Sequence, residues 1–151
     1  MTSENQKPDA PALLRQARVT VAVPTFYLVG LRHAEWGRLL ESPELSPRAA
    51  SIFMLLKDEH EVTLLLEEGD WRAMRHVARD ARVEGGFRLV TFDLVLDWSV
   101  VGFLSHVTSL LAQAGISCGA LSAFSRDHLL IKQDDLGKAL RILSAHVAEL
   151  C

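Results

Sequence analysis

Residues 96–103 read Leu-Asp-Trp-Ser-Val-Val-Gly-Phe and lead into an apolar segment that runs to Ala114. Ser99 is a good N-cap residue. Val100, Phe103, Leu104, Val107, Leu110, Leu111 and Ala114 follow at the three- and four-residue steps of one buried helical face. The first amides of such a helix have no intrahelical acceptor and carry the positive end of its dipole. The N–H groups of Val100, Val101 and Gly102 therefore suit a carboxylate. Gly102 adds no side chain, so a ligand or a second backbone could come close. Asp97, just before the turn, suits an ammonium group, and Trp98 is a rim or interface aromatic. Together these groups match the two ends of a free amino acid. The strand beginning near Ser117 and the turn from Phe124 through Asp127 and His128 would form the opposite wall.

Each of these residues also has a plain structural reading. Ser99 as a cap, Asp97 as a turn or dipole-favouring residue, Gly102 as a site of tight helix-on-sheet packing, and Asp127-His128 as a turn with a cross-strand contact all fit the same spacing. The six histidines are scattered and make no metal-binding pair with a carboxylate between them, so they read as solvated. Cys118 falls inside an apolar strand with no neighbouring cation and reads as an inert thiol. There is no nucleophile elbow, no phosphate-binding loop and no dinucleotide fingerprint. No cofactor is expected.

Periodicity supplies the elements that must hold these groups. Strands are expected at 18–23, ending at Pro24, and at 26–31. One or two helical turns follow at 33–40, then a hairpin of 51–57 with 61–67. A short helix capped by Asp70 and running through Val77 and a turn at Val83-Glu-Gly-Gly86 close the first half. In the second half, 88–96 is a strand with Val90, Phe92, Leu94 and Leu96 on one face. After the helix that Gly115 ends, strands follow at 116–124 and 128–132. A last helix capped by Asp134 or Asp135 buries Leu136, Ala139, Leu140, Leu143 and Val147. The order strand, helix, strand, strand, helix is a ferredoxin-like βαββαβ unit lacking its final strand. An open edge would remain, so a strand from the N-terminal half should complete the sheet. A weaker version of the same order over 26–80 suggests a degenerate repeat.

The chain has 151 residues, 49% of them hydrophobic and 23% charged, enough for a self-sufficient core. A formal charge of −3 speaks against general nucleic-acid binding. Two cysteines, a polar start without an apolar leader, and no apolar run of about 20 residues point to a soluble, reduced, cytoplasmic protein with no membrane contact.

The runs Leu96-Asp-Trp-Ser-Val-Val-Gly-Phe-Leu104, Leu111-Ala-Gln-Ala-Gly-Ile-Ser117, Leu121-Ser-Ala-Phe124 and Asp127-His-Leu-Leu-Ile131 resemble an ACT domain. More narrowly, they are similar to the small tandem-ACT family that includes the regulatory ACT pair of aspartate kinases and cytosolic arginine sensors. Arg126-Asp127-His128 departs from the Thr-Asp-Tyr form of that family. The resemblance implies an α+β fold of two ferredoxin-like units with antiparallel sheets and helices on one face. It places a flexible tail at 1–17, a degenerate unit at 18–82 and an ACT domain at 83–151. It further implies a small ligand, usually an amino acid, a homodimer, and a regulated enzyme on a separate chain. A bare assembly module and, ranked last, a small enzyme of ferredoxin-like fold are the alternatives.

Overall fold

The computed structural model describes residues 9–48 and 50–151. In chain order the elements are α1 (Ala10–Leu14), β1 (Arg18–Val21), β2 (Phe26–Leu31), α2 (His33–Leu40), β3 (Met54–Lys57), β4 (Val62–Glu67), α3 (Glu68–Met74), β5 (Arg82–Asp93), α4 (Phe103–Gln113), β6 (Cys118–Ser122), β7 (Asp127–Lys132), α5 (Gln133–Ser144) and β8 (Glu149–Leu150). A short 3-10 turn spans Pro43–Leu45. The chain divides into two compact units. One is Pro24–Phe87; the other joins the described residues up to Val23 with Arg88–Cys151.

The unit at 24–87 is a complete βαββαβ fold with strand order β3-β4-β2-β5. All three of its strand pairs are antiparallel. Its core sets Val29, Leu31, Val62, Leu64 and Leu66 against Leu39, Trp71 and Met74. At the start of α2 the Glu35 carboxylate accepts the Arg32 amide at 3.0 Å, which satisfies one donor at the helix entrance. Asp70 was expected to cap the next helix. Instead β4 runs straight into α3, and Glu68 N–H donates to the Thr25 carbonyl. Asp70 then lies inside the first turn, buried, with Arg48 Nε donating to it at 3.0 Å.

The expected turn at Val83-Glu-Gly-Gly86 is part of β5. Its glycines serve a bulge. The register against β2 shifts between Phe26 and Leu28, and Gly86 has φ +73. A Cβ at Gly85 would drive into the Tyr27 ring, so only glycine lets the strands approach there.

The other unit has the strand order β6-β7-β5-β1-β8. Here residues 88–93 of β5 act as the first strand, α4, β6, β7 and α5 follow, and the N-terminal β1 is the antiparallel fourth strand (Arg18 opposite Asp93). The missing strand of the second half is thus supplied from the N-terminal half, as its open edge required. The boundary differs from the one expected at residue 18, because β1 belongs with 88–151. Residues 9–17 also depart from the expected flexible tail. Pro11 stands in the first turn of α1, where its fixed φ suits a helix, and Leu14 and Ala17 are fully buried. The rest of that tail, residues 1–8, lies outside the described residues.

The helices of this unit lie on one face of its strands. Val19, Val90, Phe92, Leu129 and Ile131 meet Phe103, Val107 and Leu111 from α4 and Leu136, Ala139 and Leu143 from α5. Helix α4 ends as expected at Gly115, with φ +72. Gly115 N–H donates to the Ala112 carbonyl and Ile116 N–H to the Leu111 carbonyl, the paired bonds of a Schellman motif. Asp134 and Asp135 sit in the first turn of α5 without a side-chain capping bond, where their charge still suits the dipole. Among the described residues no helix is long and apolar enough to cross a membrane.

Candidate functional site

The segment between β5 and α4 folds differently from the simple helix start expected at Ser99. Asp97 Oδ1 accepts the Ser99 amide at 2.8 Å, and Val100 N–H donates to the Asp97 carbonyl at 2.9 Å. This turn consumes Ser99 and Val100, so neither opens the helix. Gly102, at φ +82, is the residue that caps it. The first intrahelical bond runs from His106 N–H to the Gly102 carbonyl. The open amides are therefore those of Phe103, Leu104 and Ser105, three residues beyond the expected ones. Local capping preference favoured Ser99; the Asp97 carboxylate instead closes a turn on the Ser99 amide, and the helix is capped three residues later, at Gly102. That hydrogen bond, with a further one to the Ser99 side chain, holds Asp97 below the usual carboxylate range.

The facing wall is the β6–β7 hairpin. Ala123 N–H donates to the Arg126 carbonyl, and Leu96 N–H donates to the Ser125 carbonyl, both at 2.9 Å, which ties hairpin to turn. Ser122 Oγ donates to Asp127 Oδ1 at 2.7 Å, and Arg126 Nε donates to Asp93 Oδ1 at 2.7 Å. Between the turn, the first turn of α4 and this hairpin lies a cavity of about 290 Å³. It lies at the small end of the range for small-molecule sites.

Its lining includes Asp97, Trp98, Val100, Gly102, Phe103, Phe124 and Asp127, all residues singled out from the sequence. Ser99 and Val101 stand off it. So does Ser117, which precedes β6 and is separated from Ser122 by that whole strand, roughly 15 Å at the usual rise per residue. His128 alternates with the core residue Leu129 and points to the other side of the strands, where Nδ1 lies 2.9 Å from Thr91 Oγ1. Sequence reasoning did not single out Ser105 or Ser122 as wall residues, and it took Arg126 only as part of the turn expected to form the wall. The Arg126–Asp93 pair joins positions 33 residues apart, which no local pattern signals.

A second cavity, about 330 Å³, lies in the unit at 24–87 between α2, the 3-10 turn and β3. Its walls include Trp36, Leu39, Phe53, Leu55 and Met74, and among the described residues no charged residue lines it. Only the first cavity carries groups for a charged ligand.

His128 gives the unit a measurable pH response. Burial lowers its pKa; Asp127 opposes that shift and Arg126 adds to it. With the folded value depressed, the unfolded chain takes up the proton first as pH falls. The stability present above the ordinary histidine value is then lost on acidification. Between about pH 7.5 and about pH 5.5 the wild type should lose more stability than His128→Gln, read from urea midpoints at each pH. Equal losses would remove His128 as the cause. Burial likewise pushes the Cys118 thiol up, away from reactive thiolate character.

Residues 82–145 match the ACT domain family, and this segment is an ACT domain. No curated protein matches the chain. Solved structures share the fold. A protein of Agobacterium tumefaciens is 19% identical with a TM-score of 0.70, over 90% of this chain and 92% of its own. A protein of unknown function from Vibrio cholerae, described as a possible transport protein, is 20% identical with a TM-score of 0.66, over 90% and 94%. The regulatory subunit of aspartate kinase from Thermus thermophilus is 10% identical with a TM-score of 0.61, over 88% and 98%. At these identities the likeness is one of fold.

Proposed function

We propose that the protein is a non-catalytic regulatory ACT protein that binds an amino acid at the α4 entrance and couples binding to its association with a second copy or with a separate enzyme. The observation that carries this reading is the meeting of unlike groups at one cavity. Open helix amides suit a carboxylate, the ionised Asp97 suits an ammonium, and Gly102 keeps the space beside them clear of a side chain. The fold shared with the regulatory subunit of an aspartate kinase supports a regulatory rather than catalytic role. Ligand in the cavity would bridge the Asp97–Gly102 turn and the hairpin. It would favour whichever arrangement of the surrounding loops, and of any partner resting on them, closes it best.

Thermal denaturation with each of the twenty amino acids tests this. A true ligand at a hundred times its Kd adds about 2.7 kcal/mol. That corresponds to a rise of roughly 5–10 °C in Tm for a chain of this size. No shift with any amino acid at millimolar concentration would leave the assembly-module reading in its place.

A further inference from the structure

Resting on the reading just given, we propose that the ligand is an amino acid with a large apolar side chain, and that Trp98 and Phe124 select it. Both residues line the cavity, one from the turn before α4 and one from the β6–β7 hairpin. Both are almost wholly in water, at 87% and 90% exposure. Single exposed apolar residues are ordinary, but two large rings on one concavity make a patch that a ligand can cover. Neither ring stacks on another aromatic, so their surfaces remain available among the described residues. The two loops that carry them are tied by the Leu96–Ser125 backbone bond, which holds the two loops to a common frame.

The charges narrow the class further. Arg126 is the cation of the lining, and Asp93 already engages it. Among the described residues Asp97 and Asp127 are the carboxylates there and Arg126 the cation, so an acidic side chain would meet like charge with no uncommitted cation. Each carboxylate already accepts a hydrogen bond, from the Ser99 amide and the Ser122 hydroxyl respectively. With Asp97 and the α4 amides taken by the ammonium and carboxylate of the ligand, the large exposed side chains left to meet its side chain are Trp98 and Phe124, and their complement is apolar.

The experiment compares phenylalanine, tryptophan and leucine with glycine, serine, aspartate, glutamate and lysine as stabilisers of the full chain, then repeats the panel on Trp98→Ala and Phe124→Ala. The first three compounds should give the largest shifts. Each alanine variant should weaken binding of the best one about tenfold while its unliganded Tm stays near wild type, since the rings are exposed. Trp98→Phe should keep most of the affinity. If glycine, serine, an acidic amino acid or lysine stabilises most, the selection by ring surface is overturned while amino-acid binding stands. If none of the eight stabilises, selection by ring surface is overturned, and amino-acid binding falls with it only if the other twelve amino acids also give no shift. If the alanine variants change the elution volume of the unliganded protein, the rings are contacts between copies and the proposal is overturned.

Discussion

Phe92→Ala is expected to cost about 3–5 kcal/mol, the range for removing a buried aromatic and leaving a partly unrelaxed hole. Phe92 is completely buried on β5. Its ring meets that of Phe103 edge to face, with centroids 5.6 Å apart and planes at 84°. The consequence reaches past stability because Phe103 is the first residue of α4 and one of the three that carry open amides. With Phe92 gone, Phe103 loses its one aromatic partner among the described residues. The helix entrance should loosen and the response to the stabilising amino acid should weaken along with the fold. Urea denaturation checks the first part: the midpoint should drop with the slope unchanged. Phe92→Leu separates packing from aromatic geometry. It should recover most of the stability, to within about 1.5 kcal/mol of wild type, but lose the edge-to-face contact. A cost below about 1 kcal/mol for the alanine variant would mean that the core collapses around the gap, and that Phe92 does not anchor α4.

How far such a site can be read from residues alone depends on the range of the interactions that build it. The faces of α4 and α5 were legible because Val107 and Leu111, and Leu136, Ala139 and Leu143, repeat at helical spacing, and all five are buried. Strand β2 was legible at both ends, and β4 to within a residue, because both are short apolar runs between polar turns. The pairing of β1 with residues 90–93 joins segments about seventy positions apart. The incomplete unit demanded a fourth strand, but nothing local says which one. Gly85-Gly86 misled in the opposite direction. A glycine pair signals a turn when seen alone, and the need for a gap beside Tyr27 is visible only once β2 lies next to it. The helix start failed for a related reason. Ser99 is a sound cap by type, yet Asp97 two residues earlier can close a turn on its amide, and only the three-dimensional chain shows that the helix then starts after Gly102. The resemblance to ACT domains pointed to the turn before α4, but it could not say which amides there remain open.

Gly102 should be the residue at which ligand response and folding separate most cleanly. Its φ of +82 is a conformation that side-chain-bearing residues avoid, while a Cβ built there meets no atom within 4 Å. The cost of Gly102→Ala is therefore backbone strain, about 1–2 kcal/mol, and not collision. The chain has two ways to respond. It can hold the strained φ and lose stability by that amount, a fall of roughly 2–8 °C in Tm. Or it can relax to negative φ, which swings the Gly102 carbonyl away from His106 N–H and re-aims the amides of Phe103, Leu104 and Ser105. The second route relieves strain at the expense of the site, so binding should fall at least about tenfold, the equivalent of about 1.4 kcal/mol, in a protein that still unfolds cooperatively. Gly102→Asn discriminates between them, because asparagine enters the left-handed region at lower cost. It should retain more affinity than alanine despite its larger side chain. The readout is the stabilisation produced by the amino acid most effective on wild type, measured at one fixed concentration across the three proteins. If alanine and asparagine variants respond as wild type does, the amides after Gly102 do not hold the ligand, and the proposed site at the α4 entrance is wrong.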